Sequence, residues 1–321
     1  MASEERAGLR GAVLEGRYRV GACIGVGGTG VVFEATDEWT GRVVVVKTMR
    51  PVFAYNASLI GRLRREAEVA QRVVHPGIVP VLDQGLLPDS SPFLVLQRLH
   101  AESLNRLLSR QGTLSCADVA VIALRVAAIL HRAHNHGYVH RDVKPEHVML
   151  DRGPSGELLV WLLDFGVCAS DRAGAEEKSQ ERGRVFGTPS YVSPEQASGD
   201  PDVDGRADIY GLGVTMYECL TGELPFKAPS VTGLLRRIIR EDPPRVRKIA
   251  PHVDAALDAL VARAMARTRE GRFLNARAFG RAISPFVQGR LSLERDLAGR
   301  LRTGTEHPDG LRTVREELAV A

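Results

Sequence analysis

The amino-acid sequence predicts an α+β fold in two unequal parts, a small β-rich part followed by a larger helical one. Three observations predict it. Between Tyr18 and Leu96 the apolar residues come mostly in short β-branched runs bounded by Gly and Pro, as strands do. From Leu104 onward they recur at helical spacing, and one stretch, Arg206–Thr221, is apolar nearly all round, the pattern of a fully buried helix. Gln97–Ser103 stands between the two patterns and reads as a linker.

Each element follows from its residues. Tyr18–Ile24 and Gly30–Thr36 are expected strands flanking a glycine turn, and Arg42–Met49 is a continuous β-branched run. In Leu59–Val74 the residues Leu59, Leu63, Ala67, Ala70 and Val74 share one helical face, and Pro76 and Gly77 end the helix. Phe93–Leu96 is a short buried strand, and Leu104–Leu108 a short helix. Ser115 is the expected N-cap of a long apolar helix reaching His136-Gly137, and Gly222 suits the end of Arg206–Thr221. The expected division is a lead at 1–16, a domain at 17–286 and a charged tail at 287–321 that forms one or two short helices. Within the domain the small part is 17–96, the hinge 97–103 and the large part 104–286.

Composition narrows the function. With 43 Lys and Arg against 39 Asp and Glu among 321 residues, the formal charge is +4. No basic run of the kind that forms a nucleic-acid arm is present. Cys23, Cys116, Cys168 and Cys219 are widely spaced without a CxxC pair, as in reduced cytosolic proteins. Met1–Arg10 is polar, and no apolar run approaches the roughly 20 residues of a membrane span. A soluble, cytoplasmic protein is the expectation, with neither nucleic acid nor membrane as a partner.

Three motifs carry chemistry. Gly25-Val26-Gly27-Gly28-Thr29-Gly30 is a GxGxxG turn, whose backbone N–H groups can approach phosphate oxygens because no Cβ intervenes. Dinucleotide-binding folds share the pattern, but here a strand rather than a helix follows Gly30, and a lysine closes the next strand 17 residues later. That lysine ends Val44-Val45-Val46-Lys47, an odd place for a charge unless it only snorkels from the strand end. The third motif is His140-Arg141-Asp142-Val143-Lys144-Pro145-Glu146-His147 followed by Asp164-Phe165-Gly166, two carboxylates 22 residues apart. That distance suits a loop and a β-hairpin. His131, His134, His136, His140 and His147 crowd into 17 residues, yet no cysteine or carboxylate completes a zinc set at finger spacing.

In this order and context the motifs resemble a protein kinase, specifically the eukaryotic-like serine/threonine kinases of bacteria, over roughly residues 17–286. The resemblance implies a bilobal kinase-like fold, ATP and a divalent metal as cofactors, and serine- or threonine-bearing proteins as substrates, with a transient kinase dimer as a further partner. It implies that Ile24, Gly25, Val26, Gly27, Gly28, Thr29, Gly30, Val32, Val45, Lys47 and Glu66 bind nucleotide. Glu66 holds Lys47 on the α/β-phosphates, Val32 covers the adenine, and Leu96 backs its pocket. Asp142 accepts the substrate hydroxyl proton, Lys144 neutralises the transferring phosphate, and the Thr188 hydroxyl bridges the two. Arg141 pairs with an activation-loop phosphate, His140 packs, Asp208 holds the catalytic-loop backbone, and Glu195 pairs with Arg272.

Two positions depart from the family. Asp164 and His147 stand where the metal ligands belong, but the family has Asn at the second. Mg²⁺ prefers oxygen, so Mn²⁺ enters as an alternative metal, and protonation of His147 is expected to lower activity at mildly acidic pH. Val167–Phe186 has no threonine, leaving Ser170 and Ser179 as acceptors of an activating phosphate. Glu176, Glu177 or Glu181 could instead pair with Arg141. An alternative to an active kinase is a nucleotide-binding pseudokinase scaffold, whose only support is His147.

Overall fold

The computed structural model describes residues 9–170, 183, 185–287 and 290–302. The chain divides into two compact units, one formed by the chain up to Glu102 together with Arg302, the other by Ser103–Leu301.

The first unit is an antiparallel six-stranded sheet of order β1-β2-β3-β4-β6-β5 with one long helix. Its strands are β1 (Val13–Leu14), β2 (Tyr18–Val26), β3 (Gly30–Asp37), β4 (Val43–Met49), β5 (Val81–Leu86) and β6 (Pro92–Gln97). Alternation along β2 to β4 turns Tyr18, Val20, Val31, Phe33 and Val46 into a core shared with Phe93 and Val95 of β6. Helix α1 (Ala57–Arg72) is capped by the Asn56 side chain, which accepts from Leu59 N–H, and packs Leu63 and Ala67 against Met49 and Leu94. Two expectations change here. The lead at 1–16 does not stand apart from the domain, because Leu14 is buried and pairs with Tyr18 in the sheet. Val74 is not on the buried face but 76 % exposed, since the helix ends at Arg72 and Val73 leaves helical geometry; Val69 turns inward instead.

A two-residue strand, β7 (Glu102–Ser103), stands where the units part. The second unit is built on α3 (Cys116–Asn135) and α5 (Arg206–Thr221). The Ser115 hydroxyl caps α3 by accepting from Asp118 N–H, and α5 buries every residue except Arg206, Glu218 and Thr221. Gly222, at φ 72°, closes α5 in the left-handed region where glycine carries no steric cost. Shorter elements surround this pair: α2 (Leu104–Gln111), β8 (Tyr138–Val139), the hairpin β9 (Val148–Arg152) and β10 (Leu158–Leu162), β11 (Ala169–Ser170) and α4 (Pro194–Ala197). Then come α6 (Val231–Arg240), α7 (Val246–Ile249), α8 (Ala255–Ala264) and α9 (Ala276–Ile283).

Part of the charged tail forms a helix, as expected, and docks on the second unit. Helix α10 (Arg290–Gly299) packs on α3, β9 and β10, and Leu297, Ala298 and Leu301 are buried. Glu294, 2 % exposed, accepts from Arg125 at 3.1 and 2.8 Å, and Arg300 pairs with the buried Asp118. The second unit continues to Leu301, and charges of the tail pair with charges on α3. Among the described residues no helix is long and apolar enough to cross a membrane.

Candidate active site

The charge buried in α5 organises the loop above it. Asp208 accepts from the N–H groups of His140 at 2.8 Å and Arg141 at 2.7 Å, and its Oδ2 lies 2.7 Å from Nε2 of His134. Burial works to raise this carboxyl, but the His134 hydrogen bond and the other donors outweigh it and hold the group below its usual range. The two backbone bonds help hold Arg141 at φ 67°, a left-handed conformation a non-glycine residue takes only under constraint. His140 is also tied down. Its Nε2 donates to Leu163 O at 2.8 Å, its Nδ1 accepts from Asp142 N–H at 3.2 Å, and its ring meets Phe165 edge-on at 4.6 Å. One buried imidazole thus fixes Asp142 relative to Asp164.

Asp142, Lys144 and Thr188 converge. Asp142 Oδ1 accepts from Thr188 N–H at 2.7 Å, and Lys144 Nζ lies 3.3 Å from Asp142 Oδ2. The Thr188 hydroxyl accepts from Lys144 at 2.6 Å. Thr188 therefore links Asp142 and Lys144 through its amide and its hydroxyl separately, where sequence reasoning assigned both contacts to the hydroxyl. The approach needs Gly187: at φ +100°, a Cβ there would come within 2.6 Å of Arg141 O. Burial pushes the Asp142 carboxyl up, but the His147 imidazole, the Lys144 ammonium and the Thr188 N–H outweigh it. The group stays below the usual carboxylate range and is ionised at neutral pH.

The two expected metal ligands lie side by side. His147 Nδ1 is 2.8 Å from Asp142 O. A carbonyl oxygen only accepts, so Nδ1 carries the proton and Nε2 keeps its lone pair. That Nε2 is buried, has no hydrogen-bond partner among the described residues and lies 3.7 Å from Asp164 Oδ2. A nitrogen lone pair and a carboxylate facing each other at this distance fit a divalent cation, since ordinary bonds of about 2.0–2.2 Å from each would meet. Burial, the largest influence, holds the His147 imidazole below its usual range and favours the neutral form that can ligate a metal. Asp164 sits at φ 62°, with its carboxylate accepting from Gly166 N–H at 3.4 Å. Among the described residues no group of three or more His, Cys, Asp or Glu side chains is placed to hold a metal, so this pair would need ligands from outside the protein. The other histidines are engaged locally, His136 with Arg132 O and His131 with Asn135.

In the first unit Lys47 Nζ donates to both Glu66 oxygens, at 3.0 and 2.8 Å. The glycine turn is a tight hairpin in which Gly27 N–H donates to Gly30 O at 2.8 Å. Gly30 lies so close to β4 that a Cβ would sit 3.1 Å from Thr48 O. Ile24, Val32 and Val45 form a small apolar cluster with Leu96 packed against it.

Sequence reasoning missed Gln196. Its Nε2 donates to Arg141 O at 2.8 Å and to Phe186 O at 3.1 Å, binding α4 to the catalytic loop. The available signal was Ser193-Pro194-Glu195-Gln196, a capping box that places a glutamine at the third helical position. Next to it Arg272 grips Glu195 with two bonds of 2.7 Å. Ser179, Glu176, Glu177 and Glu181 lie outside the described residues, as does the side chain of Ser170.

Residues 18–273 match the protein kinase domain family. The chain belongs to that family. It is 35 % identical over 266 residues to the serine/threonine-protein kinase pkn3 of Myxococcus xanthus, covering 82 % of this chain and 48 % of that protein. It is 36 % identical over 262 residues to the serine/threonine-protein kinase PknD of Mycobacterium tuberculosis, covering 81 % of this chain and 38 % of that one. The chain thus spans about half or less of the length of these relatives. Its fold is similar to the crystal structure of the Mycobacterium tuberculosis PknI kinase domain, with a TM-score of 0.66 and 29 % identity, covering 86 % of this chain and 98 % of that one.

Proposed function

We propose that the protein transfers the γ-phosphoryl group of ATP to serine and threonine hydroxyls of proteins. One observation carries this reading: a buried Asp142 tied to Lys144 and Thr188. Asp142 orients the substrate hydroxyl and takes its proton as the new O–P bond forms and the bond to the β-phosphate oxygen breaks. Lys144 offsets charge on the phosphoryl group in flight. Lys47, held by Glu66, binds the α/β-phosphates. The N–H groups of the glycine hairpin bind phosphate oxygens, and Ile24, Val32, Val45 and Leu96 offer an apolar surface to adenine. Asp164 and His147 would hold a divalent metal, Mg²⁺ or Mn²⁺, which supplies charge neutralisation at the phosphates. ATP as co-substrate suits a cytoplasmic place of action. Nothing favours the pseudokinase reading, since Lys47, Asp142 and Asp164 are all present.

The test is incubation with radiolabelled ATP and a generic basic protein, followed by phosphoamino-acid separation. Label on serine or threonine is expected. Label confined to tyrosine, or none, would refute the proposal.

Loop activation gives a second expectation. With no threonine in Val167–Phe186, stoichiometric autophosphorylation of that segment should fall on Ser170 or Ser179, and changing the modified serine to Ala should lower activity. Mass mapping decides it. Full activity without loop phosphate would point instead to Glu176, Glu177 or Glu181 as the partner of Arg141.

A further inference from the structure

We infer that His147 and Asp164 form a mixed nitrogen–oxygen metal site that selects Mn²⁺, a first-row divalent ion, over Mg²⁺. The inference rests on the kinase reading only for the metal's role in catalysis; the site itself follows from the arrangement of donors.

Three features of the chain build it. First, the imidazole is locked in one tautomer. Nδ1–H donates to Asp142 O at 2.8 Å, and a hydrogen bond from the far ring nitrogen is what orients a metal-binding histidine and raises the basicity of the other nitrogen. Second, among the described residues the other nitrogen has no hydrogen-bond partner, and it is buried in a residue only 3 % exposed. A buried polar atom left this way costs stability unless something else satisfies it. Third, Nε2 faces a carboxylate oxygen, Asp164 Oδ2, across 3.7 Å. The carboxylate supplies negative charge, and the backbone of Asp164 is constrained at φ 62°.

The choice of ion follows from donor chemistry. Mg²⁺ demands oxygen ligands in near-ideal octahedral geometry and gives up water reluctantly. Mn²⁺ also favours carboxylate and phosphate oxygens, but it is the first member of the first-row series whose affinity for sites containing nitrogen rises above that of the purely oxygen-seeking ions. A rigid imidazole nitrogen therefore penalises Mg²⁺ more than Mn²⁺. The two protein donors leave most of the coordination sphere to nucleotide phosphates and water, so the preference should appear most strongly with nucleotide present.

The experiment is spectroscopic. Mn²⁺ bound to the full chain with ADP is examined by pulsed electron paramagnetic resonance, using protein grown with unlabelled or ¹⁵N-histidine. The expected result is a coupling of directly bound histidine nitrogen that changes with the isotope and disappears in His147→Asn. In competition titrations the Mn²⁺-over-Mg²⁺ affinity ratio should fall at least about tenfold in that variant, the scale of losing one metal ligand's environment. A spectrum without histidine coupling in the wild type overturns the inference, and because this arm needs no substitution, a misfolded variant cannot obscure it. An unchanged affinity ratio in a folded His147→Asn also overturns it. Phosphoryl transfer with Mg²⁺ is measured in parallel. Transfer without histidine coupling removes this inference and leaves the kinase reading intact, whereas coupling without transfer under either metal does the reverse.

Discussion

Asp142→Asn is expected to lower phosphotransfer by about two to four orders of magnitude, the usual share of a general base, while the protein folds as before. Asparagine has almost the shape of aspartate, and its carbonyl oxygen can still accept from Thr188 N–H, the 2.7 Å bond that holds the side chain. What disappears is the negative charge. No group then accepts the proton of the substrate hydroxyl, and Lys144, 3.3 Å away, loses its counter-charge. Lys47→Ala and Asp164→Ala should abolish activity for a related reason, since each removes a charge that acts on the nucleotide phosphates or their metal. Radiolabel incorporation beside a thermal melt separates chemistry from folding. Autophosphorylation by Asp142→Asn comparable with wild type would remove Asp142 from its role.

Arg272→Ala is expected to destabilise the protein by about 3–5 kcal/mol, the range for breaking a buried ion pair by removing one partner. Arg272 is 2 % exposed. Besides its two bonds to Glu195, it donates to Ala266 O at 2.8 Å, Arg206 O at 3.0 Å and Arg267 O at 3.2 Å. Truncation leaves a buried carboxylate and three carbonyls to be satisfied by water or not at all. Arg272→Lys keeps the charge but not the planar fork that spans both carboxylate oxygens, so it should fall between wild type and Ala. Denaturant unfolding measures both. A loss below about 1 kcal/mol for Ala, the level of an exposed pair, would show that Glu195 finds another partner. Because Glu195 and Gln196 share α4, and Gln196 holds Arg141 O, the same change should also reduce turnover.

The elements that declared themselves in the sequence do so through short-range patterns. Ser115 caps α3, and α5 begins and ends at the residues its apolar run and Gly222 mark out, because capping and helical periodicity are settled within a few residues. The catalytic residues were legible for a similar reason: His140 to His147 is one continuous loop. By contrast, the sequence offered a short helix in the charged tail but no sign of where α10 docks. Its burial depends on Arg125 with Glu294, 169 residues apart, and Asp118 with Arg300, 182 apart, and no local signal announces a partner at that distance.

The site shows the same division at finer scale. The sequence by itself determined which acids, bases and glycines the protein brings to phosphate chemistry, because chemistry depends on residue type and order. Only the tertiary structure decided how they are used: that Thr188 reaches Asp142 through its amide, that Gln196 braces the loop, and that His147 points a lone pair at Asp164 with its other nitrogen held by Asp142 O. A tautomer, a burial and a 3.7 Å approach are properties of the surroundings a side chain is packed into. They exist only once distant segments have met.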